Sequence, residues 1–435
     1  MHLSVPELKK IVKDYVKRLR ENKTLVNGFF FSVFAFVGRG ISFVLLIMLA
    51  SFIPPVDYGK LSLFNTVVML MGFFMAFGTN GYFGISFFKE DRNTFHQDFS
   101  FILMMLLLSV GLIAIVLLLL GSYLSSLAGV SYELLWWALI VAFTSVPFAM
   151  YTDYYRLQEK VGMYGLLNIG NALLNAIFSI LLVIKFAQGW MGRVNTHIGV
   201  NVLFFVVAMV FFLKKRFLDL HINRERMKMI LFWGVPQIPH MATFWIRSGC
   251  DQYIINYNYS TQEVGLYSFA FNLVGVITMI GMAFNSSNSV TIYQVLSDKN
   301  KTIDEKKEIL QINSNLIYKI YLGAAIAVVG CGALFVSFVL PKYSESIPFF
   351  LILSVYGFFV CICLLYCNYL FYYGYTRQLM YITFASSILH LCLSLLLTPV
   401  SLYLTACVSI LSQSVIFVSY IFLSKRVLRR HLNDI

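Results

Sequence analysis

The sequence predicts an all-α integral membrane protein, with about twelve transmembrane helices in two six-helix pseudo-repeat lobes around a central cavity. Three observations predict it. Of 435 residues, 59% are hydrophobic and only 12% are charged, whereas soluble domains run near ~45–50% and ~25%. The apolar residues fall into twelve runs long enough to cross a bilayer. Finally, one short motif recurs after the first and the seventh run.

The runs span 25–53, 61–87, 99–121, 132–152, 164–186, 197–213, 229–249, 265–295, 310–340, 347–371, 379–397 and 399–423. Several exceed the ~20 residues a membrane requires, which predicts tilted or protruding helices. The last two runs meet in a tight hairpin at Thr398 and Pro399. Placing the N-terminus inside puts 26 Lys and Arg on the cytoplasmic side and 5 on the other: Lys60, Lys185, Arg193, Arg247 and Lys342. Such a bias orients both termini inward, and it accounts for the net charge of +13 without nucleic acid. The first 24 residues are basic and polar and carry no leader-type apolar core. Leu8, Ile11, Val12, Tyr15, Val16 and Leu19 recur there at helical spacing between lysines, and Ser4 with Glu7 suits a cap. The segment reads either as a helix on the inner leaflet or as a topogenic tail. The seven cysteines form no disulfide or metal pattern and read as packing residues.

Asp57, Gly59 and Ser62 follow the first run, and Glu263, Gly265 and Ser268 follow the seventh with the same spacing. Arg39 precedes the first motif and Arg247 the second. The chain therefore divides into a cytoplasmic basic segment (1–24), an N-lobe (25–213), a cytoplasmic linker (214–228), a C-lobe (229–423) and a basic tail (424–435). Parallel repeats of this kind place a substrate site between the lobes.

The candidate site residues are the polar ones inside the runs. Arg39 and Lys319 lie within apolar runs, and no Asp or Glu lies in the middle of any. An Arg near the bilayer centre costs at least about 2.5 kcal/mol, so Arg39 requires a partner. An anionic substrate is one candidate, and backbone carbonyls across the lobes are the other. Lys319 either meets substrate or snorkels. Arg247 and Asp251, four apart, suit either a helix-surface ion pair or, respectively, a substrate contact and a gating or coupling group. Asn168, Asn171 and Asn175 share one face of the fifth helix, and Asn272, Asn285 and Asn288 lie in the eighth. These amides suit sugar hydroxyls and helix packing alike. His240 and His390 read as core histidines, with His240 also carried as a substrate-binding candidate. Pro236 and Pro239, with Gly234, predict a broken seventh helix that moves.

Enzyme chemistry finds no support. The chain has no Asp-x-Asp pair, phosphate-cradling Gly-rich loop, zinc spacing or nucleophile triad. No cofactor or metal is expected. A glycan polymerase or ligase of this type would carry a large external loop, yet no loop exceeds about sixteen residues.

Two stretches carry a resemblance. Asn27, Gly28, Arg39, Gly40 and the run Pro54, Pro55, Val56, Asp57, Tyr58, Gly59 form the first. Gly234, Val235, Pro236, then Asp251, Gln252, Tyr253, Ile254, Ile255, then Val264, Gly265, Leu266, Tyr267 form the second. Together they resemble Wzx-type O-antigen and polysaccharide flippases, relatives of the MATE exporters and lipid II flippases. The resemblance implies alternating access that carries an undecaprenyl-pyrophosphate-linked oligosaccharide from the inner to the outer leaflet of a bacterial plasma membrane. It also implies membrane lipids, with glycan polymerases or glycosyltransferases, as partners. The helix 1 acid that many MATE exporters use for coupling is missing, which leaves the coupling ion open. A MATE-like small-molecule exporter is the alternative.

Overall fold

The structure is a computed structural model that describes residues 23–433 except 220, 222 and 299. The amphipathic N-terminal segment lies almost wholly outside the described residues. Eleven helices are long and apolar enough to cross a membrane among the described residues. The first lobe comprises α1 (Lys23–Ala50), a second crossing of α2 (Pro55–Phe74) and α3 (Tyr82–Lys89), α4 (Arg92–Ala128), α5 (Tyr132–Leu157), α6 (Val161–Ile180) and α7 (Gly189–Lys214). The second comprises α8 (Arg224–Gly234), α9 (Gln237–Ser248), α10 (Cys250–Asn258), α11 (Thr261–Ser297), α12 (Ile303–Val339), α13 (Ile347–Tyr372), α14 (Thr376–Leu397) and α15 (Leu402–Asn433).

Local chemistry sets the helix ends. Asp91 caps α4 by accepting from the Asn93 amide at 3.1 Å, and Gly129 closes that helix in the left-handed region at φ 63°. Thr302 and Glu305 form a capping box at the start of α12. Pro55 opens α2, where a missing N–H leaves nothing unsatisfied.

The seventh crossing is three pieces, broken at the predicted Gly234–Pro236 and a second time beyond it. A turn at Val235 and Pro236 separates α8 from α9, and Gly249, at φ −123°, separates α9 from α10. Pro236 precedes the first residue of α9, and Pro239 lies in its first turn, where proline is tolerated. The second crossing is also interrupted. Ala76, Phe77 and Gly78 adopt left-handed backbone at φ 52°, 50° and 72°, a conformation that costs non-glycines about 1–2 kcal/mol each. The Ala76 amide donates to Ser109 Oγ at 3.0 Å, which steadies the turn. The two interruptions touch, because a Cβ on Gly78 would meet the carbonyl of Gly234 and one on Gly234 would meet that of Phe77.

Helix α8 docks on first-lobe elements. Arg226 grips the buried carboxylate of Asp98 through Nε at 2.5 Å and Nη2 at 2.6 Å, and Nη2 also lies 3.0 Å from Glu90. Just before α8, the Asp219 amide donates to Ser100 Oγ at 2.8 Å. The amide and ring of His221 hold the Asp219 carboxyl below the usual carboxylate range.

Apart from α8, direct hydrogen bonds between the lobes cluster at the end opposite the termini. Tyr343, after α12, donates to the Ile53 carbonyl at 2.9 Å, and Lys342 donates to the Ser51 carbonyl at 2.9 Å. Closer to the middle, Ser62 and Thr66 of α2 both donate to Gln252 Oε1, at 2.9 and 2.8 Å.

Candidate functional site

Helices from both lobes enclose a cavity of about 280 Å³ lined by Leu46, Tyr58, Asn65, Phe244, Gln252 and Asn272, among others. Asn272 donates to Tyr58 OH at 2.8 Å across the lobes. Arg39 precedes Leu46 by seven residues, so it lies on the same face of α1, about 10 Å nearer the termini. Arg39 is exposed, and its Nη1 lies 4.0 Å from Met282 Sδ on α11 of the other lobe. Among the described residues no carboxylate pairs with it. A guanidinium between two lobes without a carboxylate partner has the chemistry to receive an anionic group.

A second centre lies inside the C-lobe. Asp251 is 2% exposed. Its Oδ1 accepts from Ser394 Oγ at 2.7 Å and faces His390 Nε2 at 3.1 Å, and its Oδ2 accepts from Tyr267 OH at 3.1 Å. His390 Nδ1 lies 3.0 Å from Ser412 Oγ. The expectation of a C-lobe interior without acids is therefore corrected. The seventh crossing continues to Asn258, beyond the apolar run, and carries Asp251 into the lobe.

Two hydrogen-bond patterns fit this centre. With Ser412 donating to the Ser409 carbonyl, at 3.1 Å, Nδ1 of His390 is a donor. The pair then shares one proton between Nε2 and the carboxylate and is net neutral. With Ser412 turned to donate to Nδ1, a neutral His390 donates through Nε2, and the pair carries one negative charge. Cys250 Sγ also lies within 4.8 Å of the Asp251 and His390 donor atoms. That thiol donates to the Ile246 carbonyl at 2.6 Å.

The remaining candidates are dispersed. Arg247, at the end of α9, approaches Gln413 Oε1 at 3.5 Å and the Thr243 carbonyl at 3.4 Å. It makes no ion pair with Asp251 among the described residues, because the helix is interrupted at Gly249 and Asp251 faces His390. Asn175 donates to Asn171 and accepts from Arg193 Nη1 at 3.0 Å, and Asn168 donates to the Tyr164 carbonyl at 3.1 Å. Asn285 and Asn288 accept from Asn368 and Asn313. Lys319 stands on the exposed face of α12 beside Leu316, Leu322 and Ile326. The side chain of His240 lies outside the described residues.

Sequence reasoning missed Arg193. Counted with the outer loops, it sits inside α7 and also donates to Ser179 at 3.1 Å. The apolar run begins at 197 but the helix begins at Gly189, so hydropathy hides its first two turns. The signal was present in Asn175, whose amide needed a partner in the membrane.

Two multi-helix lobes with a cationic residue between them have the architecture of a membrane transporter. The chain belongs to the polysaccharide biosynthesis protein family, whose model matches residues 24–298. Its fold is that of MATE-type transporters. An inward-facing multidrug-resistance MATE transporter of the MOP superfamily superposes with a TM-score of 0.68 at 14% identity, covering 91% of this chain and 95% of that one. The outward-facing conformation of such a transporter gives 0.60 at 14% identity over 94% and 97%. A MOP-superfamily transporter from Pyrococcus furiosus, described as having a binding pocket of reversed polarity that suggests a different function, gives 0.60 at 11% identity over 95% and 97%. No curated protein matches the chain.

Proposed function

We propose that this transporter is a flippase that moves undecaprenyl-pyrophosphate-linked oligosaccharide repeat units, of O-antigen or capsule type, from the inner to the outer leaflet of a bacterial plasma membrane. Arg39 carries the reading. It is a guanidinium in the cleft between the lobes with no carboxylate partner among the described residues, matched to a ligand whose lipid head bears a pyrophosphate. The polysaccharide biosynthesis family supports the same substrate class. The basic loops put both termini in the cytoplasm, so the interlobe contacts at Ser51, Ile53 and Gln252 close the outer side. This is the arrangement that loads from the inner leaflet. Asp251 with His390 is the coupling centre, and the breaks at Pro236 and Gly249 divide the seventh crossing into pieces that move. Glycan-assembling enzymes at the basic loops supply and consume the cargo.

The buried acid also favours a second reading, a cation-coupled small-molecule exporter of the same fold. Against it, Asp251 is enclosed within its lobe and leaves the cleft cationic. In a strain lacking the protein, the flippase predicts accumulation of undecaprenyl-pyrophosphate-linked oligosaccharide in the inner leaflet and loss of surface polysaccharide. Normal lipid intermediates and normal surface polysaccharide would sink it in favour of the exporter.

A further inference from the structure

We infer that the N-lobe carries a second ligand site, at its termini-bearing end, for a phosphate group attached to a sugar or polyol. The site is a cavity of about 590 Å³ formed where α3, α4, α5 and α7 end or begin. That size falls within the range of small-molecule sites. Every lining residue belongs to the first lobe or the segment just after it, so the site is separate from the interlobe cleft and from Arg39.

Three features define the ligand. The first is charge. Arg92, Lys160 and Lys215 line the cavity, and none is in an ion pair among the described residues. The one lining acid, Glu90, is engaged by Arg226 at 3.0 Å. The wall therefore presents uncompensated positive charge, which suits phosphate.

The second is an orphaned acceptor. Gln158 Oε1 is buried in the wall with no hydrogen-bond partner. An unmet buried amide oxygen costs about 1–3 kcal/mol, and it requires an O–H or N–H donor. A bare phosphate diester offers none, whereas a sugar or polyol hydroxyl does.

The third is an aromatic wall. Phe217 stacks on His96 with ring centroids 4.7 Å apart, and Tyr154 meets it edge-on at 5.2 Å. Phe217 is the buried backing of this wall, and the partly exposed rings of Phe87, His96 and Tyr154 are the ones that accept the C–H face of a sugar or the stem of a glycerol. Helix C-caps turn the chain into the wall: the Lys160 amide donates to the Tyr155 carbonyl at 2.9 Å and the Phe217 amide to the Phe212 carbonyl at 3.0 Å. Glu159 and Arg216 sit in the left-handed region at φ 55° and 54°, each turning the chain so that the next residue, Lys160 or Phe217, enters the cavity.

Two sources share this chemistry: the headgroup of an inner-leaflet phospholipid such as phosphatidylglycerol, and a soluble nucleoside-diphosphate hexose. Native mass spectrometry of the purified full-length chain separates them, with phosphatidylglycerol, phosphatidylcholine and uridine-diphosphate glucose as probes. We expect one anionic probe to bind one to one and phosphatidylcholine to bind at least about tenfold more weakly. Binding of the lipid alone assigns the site to a headgroup, and binding of the nucleotide sugar alone assigns it to the soluble donor. Lys160→Ala with Lys215→Ala weakens the bound probe about tenfold, a loss of about 1.4 kcal/mol. The Lys160→Arg and Lys215→Arg pair retains binding, which separates charge from folding. Gln158→Leu weakens it severalfold, and Arg39→Ala leaves it unchanged. No binding of either anionic probe, or binding indifferent to both the double alanine and the leucine variant, overturns the site. Since Arg39→Ala tests the cleft alone, failure here is distinguishable from failure of the flippase reading.

Discussion

Gly59 of α2 and Gly265 of α11 pack backbone against backbone across the two lobes. A Cβ on Gly59 would run into the carbonyl of Thr261, and one on Gly265 into the carbonyl of Pro55. Each carbonyl belongs to the residue four positions before the opposing glycine, so the contact is symmetric. The recurring acid–x–Gly motif is thus the place where the repeats meet, and its glycines set how closely the lobes approach.

Widening that contact should open the lobes at this end. Gly265→Leu places a side chain against Pro55 that neither backbone can avoid, and overpacking of this kind costs about 1–3 kcal/mol. With the native cysteines replaced, maleimide labelling of Ser62→Cys, in the cavity wall beside the contact, should rise severalfold from the side facing away from the termini. Unchanged labelling would show that closure does not rest on the glycine pair.

Arg39→Ala should reduce export of the lipid-linked glycan at least about tenfold, since one lost charge-assisted phosphate contact is worth roughly 1.5–3 kcal/mol. Arg39→Lys should retain part of it, because an ammonium keeps the charge and loses the bidentate fork. Surface polysaccharide, compared at equal amounts of membrane-inserted protein, reads both. Wild-type export in the alanine variant would remove Arg39 from the substrate path.

If Asp251 couples transport, Asp251→Asn, which preserves shape and removes the carboxylate, should show it. We expect the variant to remain folded, to lose proton-driven accumulation and to keep exchange of bound substrate. Asp251→Ala should unfold more readily than Asp251→Asn, because it leaves His390, Ser394 and Tyr267 without their shared partner. A pH gradient across proteoliposomes loaded with substrate distinguishes the two functions. If Asp251→Asn accumulates substrate as the native chain does, coupling lies elsewhere.

How much of this was legible in the sequence depends on the distance over which each residue finds its partner. Apolar run length reflects bilayer thickness, so the spans emerge directly. Gly234, Pro236 and Pro239 announce the broken seventh crossing because backbone constraints are local. The bend at Ala76 and Phe77 had no such mark, since tertiary contacts with Ser109 impose it. Spacing offers Asp251 either as a helix-surface partner of Arg247, four residues away, or as a gating group, but not its neighbour His390, which lies 139 positions on. The pocket at Lys160 and Lys215 was equally hidden. Its walls are four helix ends whose basic residues, taken singly, look like topogenic charge.

The Arg226–Asp98 pair supports a prediction about stability. Asp98 is 1% exposed, and its carboxylate is bound by Arg226 and by Ser86 Oγ at 2.5 Å. Arg226→Met would leave that buried charge with only the serine, at a cost of about 3–5 kcal/mol, and would release α8 from the first lobe. Asp98→Asn alone should be nearly as damaging, because it leaves the guanidinium with Glu90 only. The double variant removes both charges and should recover much of the loss. A thermal unfolding series in detergent checks this, with the coupling taken from the full double-mutant cycle. Additive losses would mean that the two groups are held independently, and the docking of α8 would then rest on the apolar contact of Trp233 with Tyr82, whose rings lie 5.7 Å apart.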